Sequence, residues 1–140
     1  MKILHLILLV SLSFSAFAQN NPQEELCSTC YVDKLNGETV YEIVEESAKP
    51  EGGYSAFYKY IKKNLIIPKQ GKRMGVDSKI YLCFIVDTQG NSQNVCAYLG
   101  SEIKLPEMEK LVQQYTWSPA KQRGKNVPQR VFLPIHIRLN

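Results

Sequence analysis

The sequence predicts an α+β fold: an antiparallel three-stranded sheet with two helices packed on one face, plus an N-terminal accessory hairpin or strand. Three observations predict it. Val131, Leu133, Ile135, Ile137 and Leu139 alternate with Arg130, Phe132, Pro134, His136 and Arg138, the period-two pattern of a half-buried strand. Apolar alternation over Ile80–Val86 and Val95–Leu99 flanks Asp87-Thr88-Gln89-Gly90-Asn91, the composition of a hairpin turn. Tyr54–Asn64 and Pro106–Tyr115 carry apolar residues at helical spacing. Helices gathered on one face of an antiparallel sheet bury both kinds of stripe.

Residues 1–18 have the marks of a secretory signal peptide. Lys2 gives a positive start, Ile3–Val10 with Leu12 and Phe14 an apolar run, and Ala16-Phe17-Ala18 a cleavage signal. Retention as an anchor is the competing reading, but the run is short for a membrane span. Residues 19–46 form an N-terminal segment with a Cys-x-x-Cys motif and the accessory hairpin; residues 47–140 form the main domain.

Within that N-terminal segment, Asn36-Gly37 joins Cys30–Leu35 to Glu38–Glu45, because both turn positions of a tight hairpin need positive φ. Ser47–Gly53 breaks the chain into a loop. The first helix places Phe57, Tyr60, Ile61 and Leu65 on one stripe, with Ser55 as the expected N-cap. Pro68 ends it, and Lys69–Asp77 reads as a basic loop.

In the central hairpin, core faces match if Leu82 faces Ala97 and Phe84 faces Val95. Tyr81 then opposes Tyr98 and Cys83 opposes Cys96 on the outer face. Pro106 suits a first helical turn ahead of Met108, Leu111, Val112 and Tyr115, and Trp117-Ser118-Pro119 stops that helix. In the last strand, Pro128 and Pro134 lack N–H groups on the same side, which makes that side the sheet edge. The donors left on it are Arg130, Phe132, His136 and Arg138.

The formal charge is +4, unevenly spread. Residues 19–51 hold eight acidic and two basic groups, whereas residues 52–140 hold five acidic and fourteen basic ones. A basic face on an exported chain suits anionic envelope polymers or acidic partner segments, and excludes nucleic acid by compartment. Export permits disulfides among Cys27, Cys30, Cys83 and Cys96. Cross-strand opposition predicts a Cys83–Cys96 bridge, with two free thiols on the outer face as the alternative. Cys27-Ser28-Thr29-Cys30 is expected to close a small structural bridge, with a thiol–disulfide activity as the rival reading. Zinc is disfavoured, since one close pair without a second is poor ligand spacing. Beyond residue 18 the chain has a single histidine, His136, and neither a nucleophile motif nor a phosphate loop, so no catalytic group is assigned. No cofactor or metal is expected.

Val44-Glu45-Glu46 followed by Gly52-Gly53, Tyr60–Leu65 ending at Pro68, Phe84-Ile85-Val86-Asp87 with Gly90, and Trp117-Ser118-Pro119-Ala120-Lys121-Gln122-Arg123-Gly124-Lys125 together resemble the TonB C-terminal domain family, in its Bacteroidetes form. The resemblance covers Tyr41 to Leu139. It implies a non-enzymatic binding function in the periplasm: an extended segment of an outer-membrane TonB-dependent receptor, or of another envelope protein, added as a strand to the sheet edge. It also implies that Arg130, Phe132, Pro134, His136 and Arg138 form that edge, with Gly52, Gly53, Pro68, Trp117, Pro119 and Gly124 as family-motif positions. Ile67 stands where relatives often carry an aromatic residue. Members of the family keep a membrane anchor and a long spacer; here a cleavable signal leads almost directly to the domain, which suggests a stand-alone module with no membrane span. A homodimer is left open, and an envelope scaffold using the basic face is the remaining alternative.

Overall fold

Apolar alternation at the centre of the chain builds a long hairpin, the middle of the main sheet. The computed structural model describes residues 27–73 and 77–138. The expected signal segment, the polar stretch up to residue 26, Gly75 and Leu139 lie outside the described residues. In chain order, the first elements are β1 (Lys34–Leu35), β2 (Glu38–Thr39), β3 (Lys49–Pro50), α1 (Gly53–Asn64) and α2 (Lys69–Lys72). The hairpin is β4 (Asp77–Val86) and β5 (Ser92–Leu99), followed by β6 (Ile103–Lys104) and α3 (Pro106–Gln113). Last come β7 (Trp117–Ser118), β8 (Ala120–Gln122), β9 (Lys125–Val127) and β10 (Gln129–Arg138).

The architecture corrects the expected three-stranded sheet with two helices. The protein is mixed, with three helices among the described residues, a four-stranded sheet ordered β10-β4-β5-β6, and three two-stranded ribbons. The fourth strand arises because Gly100, at φ 62°, reverses the chain after β5, so that Ile103 and Lys104 pair back with Leu99 and Tyr98. The ribbons β1–β2 and β8–β9 turn through Asn36-Gly37 and Arg123-Gly124, all four at positive φ. The expected long N-terminal hairpin shrinks to two residues a side. Val40–Glu45 leaves it to cross towards β10 instead.

Other local corrections have equally local causes. Lys69–Asp77 is not wholly loop: Pro68, with φ fixed at −58°, starts the short α2. Ser55 does not cap α1; the chain enters it through Gly52 in the left-handed region at φ 75°, with no side-chain cap. The hairpin pairs Leu82 with Ala97 and Cys83 with Cys96 as expected, but the register then shifts to Ile85–Gln93. Asn94, at φ 51°, is the extra residue of a bulge, so Phe84 and Val95 do not form a regular pair.

The core lies between the sheet's inner face and the two longer helices. Ile80, Leu82, Phe84 and Val86 of β4 pack with Phe57 and Ile61 of α1 and Met108 and Val112 of α3. Trp117 is 2% exposed, with its ring centroid 4.9 Å from that of Phe84 and 5.2 Å from that of Phe57. Gly90 comes so close to the Trp117 carbonyl that a Cβ would collide with it, and its own carbonyl accepts the Trp117 N–H at 3.1 Å. Core burial here fixes the hairpin turn against the end of α3.

The part of the sheet's outer face around Cys83 and Cys96 is covered by the N-terminal strap, residues 27–42. Two disulfides hold it: Cys27–Cys96 and Cys30–Cys83, with Cα separations of 5.7 and 6.0 Å. This corrects the expected Cys83–Cys96 and Cys27–Cys30 bridges. Cys83 and Cys96 do stand opposite one another, but each reaches up to the strap rather than across the ladder. All four sulfurs are consumed, which leaves no thiolate for zinc and no bridge within the Cys-x-x-Cys motif.

Candidate functional site

β10 is an edge strand, with β4 on one side only. Its register with β4 runs unbroken from Gln129–Val86 to Arg138–Asp77, so successive N–H groups point alternately to β4 and away from it. The outward set is identified by one contact: the Arg130 N–H donates to the Tyr41 carbonyl at 2.8 Å, while the Tyr41 N–H donates to the Pro128 carbonyl at 2.9 Å. Phe132, Pro134, His136 and Arg138 share the orientation of Arg130. Among the described residues, no strand pairs with β10 on this side beyond Tyr41. The expected donor set therefore loses Arg130 to Tyr41 and keeps Phe132, His136 and Arg138.

This edge borders a groove with a volume of about 920 Å³. One wall is the C-terminal part of β10: Pro134, Ile135, His136, Ile137 and Arg138. Consecutive residues of both faces line it, which places it along the strand's edge and not under the sheet. The other wall is Tyr58, Ile61 and Lys62 of α1 with Leu65 and Ile67 beyond it. The volume is near the upper end of the roughly 300–1,000 Å³ typical of ligand sites. Among the described residues, most of its lining is apolar, and its charged lining residues are Lys62 and Arg138.

Local structure makes the helical wall. Phe57 and Ile61 anchor α1 in the core, which turns Tyr58 and Lys62, one residue further round, towards the groove. Ile67 is held by α2, since a Cβ at Gly71 would fall on the Ile67 and Leu99 side chains. Tyr58 and Phe132, at 40% and 41%, are among the exposed large apolar residues of the described chain. Phe132 also stacks on Tyr81, with centroids 6.2 Å apart. Burial raises the pKa of Tyr54, next to Tyr58, above the ordinary tyrosine value; the Tyr58 hydroxyl adds to it.

Arg130, assigned to the edge by its sequence position, does something else with its side chain. Its Nε donates to the Cys30 carbonyl at 2.9 Å and a terminal nitrogen to the Val32 carbonyl at 2.7 Å. The other terminal nitrogen pairs with Glu42, and the guanidinium lies 5.0 Å from the Tyr31 ring centroid. It clamps the strap and faces no groove. The family-motif positions are structural too: Gly52 and Gly53 start α1, Pro68 starts α2, Trp117 is core, Pro119 packs beside Gly90, and Gly124 turns β8 into β9.

Sequence reasoning found the β10 wall and missed the α1 wall. Tyr58 and Lys62 fall outside the apolar stripe of that helix, and an off-stripe residue reads as solvated surface. An aromatic residue, Tyr58, off the apolar stripe was the available signal. Tyr41 as a stop on the edge had no sequence signal at all. No protein-family model matches this chain, and no curated protein sequence matches it.

Proposed function

We propose that this protein is a non-enzymatic binding module of the cell envelope that captures an extended peptide segment by adding it as a strand to β10, in the manner of the TonB C-terminal domain that its sequence resembles. One observation carries the reading: beyond Tyr41 the outward N–H groups of β10 have no strand partner among the described residues, and those of His136 and Arg138 lie along a groove whose second wall is mostly apolar. Main-chain hydrogen bonds then supply affinity and the groove selects side chains. The partner is an N-terminal segment of an outer-membrane TonB-dependent receptor, or of another envelope protein. An oxidising compartment outside the cytoplasm agrees with two disulfides and with the signal-like residues 1–18. A thiol–disulfide role gains no support, because all four cysteines are bridged and at most 5% exposed.

The test is an envelope pull-down with the oxidised domain and its Phe132→Pro and His136→Pro variants. Each variant removes one edge donor at a position where proline costs no ladder bond. Partner capture should fall in both while circular dichroism stays unchanged. Equal capture by all three proteins would place binding on another surface.

A further inference from the structure

The corner that joins α1 to α2 carries a second surface, separate from the β10 groove. We propose that this corner docks on an anionic lipid bilayer, with Ile66 entering the headgroup region and a ridge of cations around it meeting the lipid phosphates. Residues 52–76 hold six cations and no carboxylate.

Three local geometries turn an apolar tip and several charges away from the same core. Leu65 has extended backbone, at φ −71° and ψ 129°, and side chains alternate along an extended segment. Leu65 and Ile67 pack against the core, so Ile66 between them projects outwards and is 72% exposed. In α1, Phe57 and Ile61 are buried; Lys59 and Lys63, two positions further along in each case, lie roughly 200° round the helix from them. In α2, a Cβ at Gly71 would strike the Leu99 and Ile67 side chains, so Gly71 is the inward position. Lys69 and Arg73 stand two positions to either side of it and face away. All four of these cations are exposed, and neither they nor Ile66 line the groove. Lys63 and Lys69 are separated by at most roughly 22 Å of chain.

Among the described residues, the ion pairs are Lys110–Glu107 and Arg130–Glu42, and neither takes a cation from this corner. The dipole of α1 favours Lys62 and Lys63 in its last turn. It accounts for neither the exposed Ile66 nor the cations of α2.

The occupant follows from the pairing of the two chemistries. A soluble polyanion neutralises the cations and leaves Ile66 in water. An anionic bilayer takes both, because its surface attracts basic segments and its headgroup boundary accepts an aliphatic side chain.

The test is flotation with vesicles of phosphatidylcholine alone and of an equal mixture of phosphatidylcholine and phosphatidylglycerol. The oxidised protein is compared with and without residues 1–18, which are apolar enough to bind vesicles by themselves. Superimposable circular dichroism shows that both forms carry the same fold. The form without them should bind the mixed vesicles and not phosphatidylcholine alone. Lys63→Glu with Lys69→Glu should weaken that binding at least twentyfold, since each surface cation contributes about fivefold. Ile66→Ala should weaken it about tenfold, the scale of one partly buried aliphatic side chain. Equal binding to both kinds of vesicle, or to neither, would overturn the proposal. Loss of binding in the glutamate variant with none in Ile66→Ala would overturn it too, and would identify a site for soluble polyanions in place of a membrane.

Discussion

The main-chain N–H of Arg130 donates to the carbonyl of Tyr41 at 2.8 Å, so the N-terminal strap closes the first rung of a sheet edge that has no other strand partner among the described residues. From this one contact the orientation of every later N–H in β10 follows by alternation.

Amide hydrogen exchange should show that alternation directly. Val131, Leu133 and Ile135, which face β4, should exchange slowly, and so should Arg130. Phe132 and His136 should exchange much faster than their neighbours. A captured partner strand should then slow both. Phe132 and His136 amides as slow as Val131 in the free protein would contradict a free edge.

The crossed disulfides make a second, quantitative prediction. Each alone closes a long loop, with sequence separations of 69 and 53. Closing one such loop stabilises by roughly 4 kcal/mol in the chain-entropy model. With one bridge in place, the other closes only a short ring, worth roughly 3 kcal/mol. Replacing Cys27 with Cys96, or Cys30 with Cys83, by alanine should therefore cost about 3 kcal/mol. Removing all four cysteines should cost about 7 kcal/mol in urea denaturation. Non-reducing peptide mapping should recover Cys27–Cys96 and Cys30–Cys83; a Cys27–Cys30 peptide would refute the pairing.

Arg130→Ala should loosen the strap, because it leaves the Cys30 and Val32 carbonyls without their donor. The expected cost is about 2 kcal/mol, read from the urea midpoint at unchanged slope. The exposed Glu42 partner contributes little of this. Arg130→Lys should restore less than half, since a point charge cannot serve Cys30, Val32 and Glu42 together. Full stability in the lysine variant would mean that charge alone matters here.

Gly90→Ala tests the hairpin turn. Gly90 has φ 85°, and an added Cβ would strike the Trp117 carbonyl. Destabilisation of roughly 2 kcal/mol or more is expected, with altered Trp117 fluorescence as the turn moves away. An unchanged thermal midpoint would show that the turn tolerates the shift.

The two longer helices, the central hairpin as far as Cys83–Cys96, and the edge character of β10 are legible in the order of the amino acids. These are readable because period, turn chemistry and proline act over a few residues. The remainder rests on long-range packing. The strap's path from Cys27 to Tyr41 depends on contacts with residues 53 and more positions away, which no local pattern encodes. The short β6 and the β3–β7 ribbon form because neighbouring strands are there to pair with. The cysteines show the difference most plainly: alternation correctly placed Cys83 opposite Cys96, yet proximity within the ladder did not choose the partners. The strap brought two more sulfurs over the same face, and the fold joined each strand to it.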